Sequence, residues 1–238
     1  MKNDRLMLRS VKQLYGDKLG ALDGEIGHVK DFYFDDQSWA VRYLVADTGS
    51  WLTGRKVLIS PHAFGILCQQ GKDLLVNLTR KQIENSPSIE SHKPVSRQYE
   101  EEYYRYYALP FYWQGGGLWG MSNVPVVPPD PLPSATDRTL ERADAHLRST
   151  QAVNGYRLQA SDGTIGHVCD FLMDDENWAI GQLVIKTGHR FSGKEVQIPT
   201  SKVDRISYEE STVFVSATSA GVEQSPTHHL APVGAALK

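Results

Sequence analysis

The residues of this chain best suited to chemistry are two histidines and six aspartates that recur in one register. His28, Asp31, Asp35 and Asp36 return as His167, Asp170, Asp174 and Asp175. Clustered carboxylates attract hard cations, and a histidine can ligate a metal or titrate near neutral pH. A ligand-binding reading therefore places His28, Asp35, Asp36, His167, Asp174 and Asp175 in the site. The pattern falls short of a metal loop, because the Asp-x-Asp-x-Asp-Gly run with a glutamate at its twelfth position is absent. One histidine per copy also cannot close a four-ligand zinc site. The aspartate pairs sit where a strand pattern stops, so capping of their own turns is the favoured expectation. No nucleophile with a supporting base is visible. Gly115-Gly116-Gly117 lacks the flanking strand and helix that a phosphate loop requires. The expectation is a protein that is not an enzyme and carries no cofactor.

The elements that must position these residues follow from an ungapped internal repeat. "DGEIGHVKDFYFDDQSWAVRYLVADTG" (Asp23–Gly49) recurs as "DGTIGHVCDFLMDDENWAIGQLVIKTG" (Asp162–Gly188), and the register holds from Leu8 and Leu147 to Pro87 and Pro226. About 30 of roughly 80 aligned positions are identical, which reads as one small domain used twice. Within each copy the signals are β. Lys18–Ala21 and Glu25–Phe34 flank an Asp23-Gly24 hairpin turn, and Gly27 and Gly166 sit where a strand bulges. Ala40–Ala46, Lys56–Ile59, Phe64–Cys68 and Leu74–Asn77 supply four further strands, with Glu195–Ile198, Val203–Tyr208 and Thr212–Ser216 among the second-copy equivalents. Thr79 and Gln82 form a capping box for a short helix that ends at Pro87. Trp39 and Trp178 follow the acidic turns and read as core aromatics that cover them.

The middle of the chain belongs to neither copy. A helix is expected over Val95–Tyr107, then an irregular glycine- and proline-rich stretch, then a second helix around Asp137–Leu147. This connector is rich in aromatic residues, which a solvated linker is not, so it is expected to pack on a barrel or on a partner. Tyr103, Tyr104, Tyr107, Phe111, Tyr112, Trp113 and Trp119 are its candidate interaction residues. Glu100-Glu101-Glu102 argues against nucleic-acid stacking by the tyrosine helix. The expected organisation is a first repeat at 1–90, the connector at 91–140, a second repeat at 141–226 and a flexible tail at 227–238. Net charge is −3 and pI about 6.2, so direct nucleic-acid binding is not expected. The two cysteines, Cys68 and Cys169, are not equivalent in the repeat, which suits a reducing compartment. No apolar h-region or membrane span is visible, and a cytoplasmic location is expected. Homo-oligomers through exposed sheet edges fit the pattern.

The string "DGEIGHVKDFYFDD…WAVRYLVADTG…GRKVLISP" resembles the PRC-barrel family, and the second copy resembles it equally. That family includes the cytoplasmic domain of the photosynthetic reaction centre H subunit and the C-terminal domain of a ribosome maturation factor. The resemblance implies a mainly β chain of two small six-stranded barrels, each with a short C-terminal helix, joined by the aromatic connector. It implies an adaptor that docks on a larger protein complex, of photosynthetic or membrane-associated type if the H subunit is the nearer relative. The alternatives are a metal or small-ligand binding protein and a ribosome or RNA-assembly factor.

Overall fold

A computed structural model of the chain describes residues 8–64, 69–70, 73–87, 95, 97–126, 147–188 and 193–228. The protein is mainly β and divides into two compact units. Unit 1 is Met1–Gln151 together with Met173–Ile180, and unit 2 is Ala152–Leu172 together with Gly181–Lys238.

Unit 1 begins with β1 (Leu8–Ser10) and α1 (Val11–Leu14), followed by β2 (Lys18–Ala21), β3 (Gly24–Asp35), β4 (Val41–Asp47) and β5 (Lys56–Ile59). A 3-10 turn at Pro61–Ala63 leads to β6 (Gln69–Gln70), β7 (Asp73–Leu75) and α2 (Arg80–Glu84). The connector then forms α3 (Arg97–Tyr106), and β8 (Leu147–Ser149) closes the set. The sheet runs β5-β4-β3-β2-β7-β6, with β8 added on β3. All pairs are antiparallel except β2 with β7. Leu14, Leu19, Ile26, Phe32, Leu44, Ile59, Leu74 and Ile83 form its core, each at most 1% exposed.

After α4 (Thr150–Val153), which straddles the boundary, unit 2 repeats the order. It contains β9 (Arg157–Ala160), β10 (Gly163–Asp174, its last two residues in unit 1), β11 (Ile180–Thr187, its first residue in unit 1), β12 (Glu195–Pro199), β13 (Val203–Ser207), β14 (Thr212–Val215) and α5 (Ser219–Glu223). Its strand path is β12-β11-β10-β9-β14-β13, matching unit 1 strand for strand. Among the described residues β5 and β6 end the first path, and β12 and β13 end the second, so the pairing describes open six-strand paths rather than closed barrels.

Several sequence expectations appear as drawn. The Asp23-Gly24 turn joins β2 to β3, and the ladder bulges beside Gly27. A Cβ at Gly27 would lie 2.0 Å from the Asp47 carbonyl oxygen, so only glycine fits this crossing. Thr79 and Gln82 form the expected capping box on α2. The hairpin aspartate also reaches the following helix in both copies: Asp23 accepts from Arg80 N and Asp162 from Ser219 N, each at 2.7 Å.

Other expectations shift. The connector helix is shorter than Val95–Tyr107, and the sixth strand of the first copy ends at Leu75 rather than Asn77. Residues 65–68 of the expected fifth strand, Cys68 included, lie outside the described residues. So does most of the expected 137–147 helix, whose last residue, Leu147, opens β8 as a strand instead. The Leu-Arg-Ser hooks, β1 and β8, and the four-residue helices after them are too short to leave a periodic signal.

Candidate functional site

The repeated acidic turns are built into the framework of unit 1. Asp31 is buried on β3 and accepts hydrogen bonds from the hydroxyls of Ser149 and Thr150 and from Gln151 N, and so caps α4. Burial raises its pKa, against the lowering pull of those bonds. Asp35 accepts from Gln37 N and Ser38 N and pairs with Arg42 at 3.4 Å. Burial alone would raise its pKa, but these bonds and the Arg42 charge hold it below the usual carboxylate range. Asp174 closes the equivalent turn through Glu176 N and Asn177 N. Asp36 pairs with Arg148 at 2.6 Å and Asp175 with Arg9 at 3.1 Å. The two turns also meet: Val41 N donates to Trp178 O and Ile180 N to Trp39 O, around an Ala40–Ala179 bridge.

Trp39 and Trp178 occupy the left-handed region, at φ 59° and 61°, which is costly for a bulky side chain. Trp178 is a core aromatic as expected, whereas Trp39 is only half-buried. Trp39 stacks on Phe34 at 5.4 Å, and Trp178 is fully buried against Phe64 at 5.2 Å. His28 is exposed on β3 and His167 half-buried on β10, in different units. Among the described residues no group of three or more His, Cys, Asp or Glu could hold a metal ion.

The connector folds onto unit 1. Tyr103, Tyr104, Tyr112 and Trp119 are buried, and Tyr107, Phe111 and Trp113 are half-buried. β4 presents Arg42 and Tyr43 to this layer. The Tyr43 ring meets Tyr103 edge-on at 5.3 Å, and its hydroxyl donates to Glu100 Oε1 at 2.9 Å. Tyr112 donates to the same oxygen, also at 2.9 Å. Glu100 is fully buried, so one carboxylate ties strand, helix and loop together. Tyr103 donates to Leu58 O and accepts from Ser60 N, fastening α3 to β5. Arg42, 3% exposed, donates to Leu118 O and packs its guanidinium 3.7 Å from the Tyr112 ring centre. Trp119 donates to Asn177 O. Burial raises the hydroxyl pKa of Tyr43, Tyr103 and Tyr104 and pushes Tyr107 up to about 12.

Between the turn after β5 and α3 lies a cleft of about 460 Å³. Its sides are Ser60, His62 and Ala63 of the turn, Asn77 and Leu78 before α2, Tyr103 of α3 and Tyr107 just after it. His62 Nδ1 and Ser60 Oγ are 3.0 Å apart, while His62 Nε2 is buried without a hydrogen-bond partner among the described residues. Burial, with a contribution from the Arg42 charge, lowers the His62 pKa to about 4. The imidazole is therefore neutral at physiological pH.

The chain matches no family model and no curated relative. Comparison of its own two copies locates the site instead. In the repeat register Arg42 and Tyr43 correspond to Gly181 and Gln182, and Glu100 has no counterpart. The cleft residues Ser60, His62, Ala63, Asn77 and Leu78 correspond to Pro199, Ser201, Lys202, Ser216 and Ala217. Every one of these positions differs, whereas Asp31, Asp35, Asp36, Trp39 and the helix cap Thr79 are kept. Arg42, Tyr43 and His62 carry no motif, and their signal lies in where the copies disagree.

Two glycine spacings in the sequence also find their place. Gly115–Gly120 has the G-x-G-x-x-G spacing, but it forms a tight turn in which Gly117 N donates to Gly120 O, with neither strand before it nor helix after it. Gly188–Lys194 has the spacing of a phosphate loop, but Glu195 follows where Ser or Thr would bind the metal, and Glu195 opens a strand rather than a helix.

Proposed function

We propose that this chain is a non-enzymatic adaptor of the PRC-barrel type, in which two barrel-like units act as a docking scaffold for a larger protein assembly in the cytoplasm. The observation that carries this reading is the use of the recurrent polar residues. Asp31, Asp35, Asp36, Asp174 and Asp175 all hold the chain to itself through turns, caps and ion pairs. What the two copies share is thus a scaffold, and a scaffold used twice is suited to presenting surfaces. The tyrosine layer is spent on unit 1, which leaves docking to the remaining sheet edges and loops. No helix among the described residues is long and apolar enough to cross a membrane.

The test is size fractionation of a gentle native lysate containing the tagged full-length chain, with cross-linking before purification. The reading expects the chain in a fraction well above its 26.6 kDa mass, with a stoichiometric partner cross-linked to it. Recovery of the chain cross-linked only to itself, under every growth condition tried, overturns it.

A further inference from the structure

The cleft beside α3 has the size and lining of a small-molecule site. Its roughly 460 Å³ falls within the 300–1,000 Å³ of ordinary ligand pockets. Leu109 and the Tyr107 ring supply apolar wall. Asn77 is exposed at the cleft, and its carboxamide, which makes no hydrogen bond among the described residues, offers a donor and an acceptor side by side. Among the described residues no lining side chain carries a charge, because burial keeps His62 neutral. An ionised carboxylate or phosphate would lose its hydration there with no countercharge in return. In the second copy the register places Lys202 and Ser216 where the first has Ala63 and Asn77, so this lining belongs to the first copy alone.

We propose that the cleft binds an uncharged aromatic molecule of one or two rings, bearing a group that both donates and accepts a hydrogen bond. The rings lie against Leu109 and Tyr107, and the polar group pairs with the Asn77 carboxamide. This activity is separate from protein docking and stands whether or not an assembly partner exists.

The test uses the full-length chain and 2-naphthol as probe, with 2-naphthoate as its charged counterpart, followed by calorimetry and saturation-transfer NMR. Saturable one-to-one binding is expected with a Kd of about 0.1 mM, an order-of-magnitude value for a ligand of this size. The naphthoate should bind at least about tenfold more weakly. Because the lining does not titrate near neutrality, affinity for 2-naphthol should be level between pH 6 and 8. Leu109→Trp, which fills the cleft, should abolish binding. Asn77→Ala, an exposed change that leaves the circular dichroism melt unaltered, should weaken it about three- to tenfold, so the test survives even if Leu109→Trp fails to fold. Absence of saturation at several millimolar, equal binding of the naphthoate, or full affinity in folded Asn77→Ala would each overturn the proposal.

Discussion

The two copies of the repeat build the same strands in the same order, yet only the first carries the connector. In copy one, β4 is buried along nearly its whole length, with Tyr43 and Arg42 beneath α3 and the Tyr112–Trp119 loop. In copy two the same strand places Gly181 and Gln182 there, both half-buried. The difference shows that conserved positions within a repeat describe the scaffold, and divergent positions describe what the scaffold is used for. A carboxylate with no exposed surface, Glu100, has meaning only in the copy that supplies two tyrosine hydroxyls to it.

Perturbing the connector should damage unit 1 and spare unit 2. All five tryptophans, at 39, 51, 113, 119 and 178, lie in unit 1, so tryptophan fluorescence reports on that unit alone. The largest effect is expected from Glu100→Ala, which strands two buried hydroxyls and leaves a void. Its cost should be about 3–5 kcal/mol in urea unfolding followed by tryptophan fluorescence. A loss below 1 kcal/mol would mean that the carboxylate does not tie the connector down.

Next comes a pH effect through His62. Its folded pKa is about 4 against 6.5 unperturbed, so the unfolded chain binds the proton more readily. The neutral side chain's contribution is complete above pH 6.5 and fades as pH falls towards 4, by roughly 3 kcal/mol at most. His62→Phe should flatten that part of the stability curve, whereas a slope identical to that of the unaltered protein would remove His62 from the account. Tyr43→Phe keeps the ring and removes one bond to Glu100. It should cost about 1–2 kcal/mol, while Gln182→Ala in copy two should cost less than about 1 kcal/mol by calorimetry. Equal losses at the two positions would erase the asymmetry. The smallest change concerns what the copies share: Thr79→Ala and Thr218→Ala, both helix N-caps, should each cost about 1 kcal/mol. A large difference between them would show that scaffold positions are not equivalent after all.

Much of this architecture is legible in the amino-acid order. The hairpin at Asp23-Gly24, the Gly27 crossing, the long third strand and the Thr79–Gln82 box are local, and local chemistry suffices to place them. Asp35 and Asp174 were readable as turn aspartates for the same reason. The ion pairs of Asp36 with Arg148 and Asp175 with Arg9 were not, because each joins residues more than a hundred positions apart. Burial of the aromatic connector followed from its composition, but its seat on β4 depends on Glu100 finding Tyr43 across 57 positions. The cleft is a product of that seating, so no window of sequence contains it.

Amide hydrogen exchange across 97–119 reports whether the connector is an integral part of unit 1. If the connector is part of the fold of unit 1, α3 amides around Tyr103 and Tyr104 open with a free energy close to that of β3 and β4, and Glu100→Ala lowers it selectively. Exchange of those amides at the rate of a free peptide, while β3 and β4 stay protected, would contradict the account.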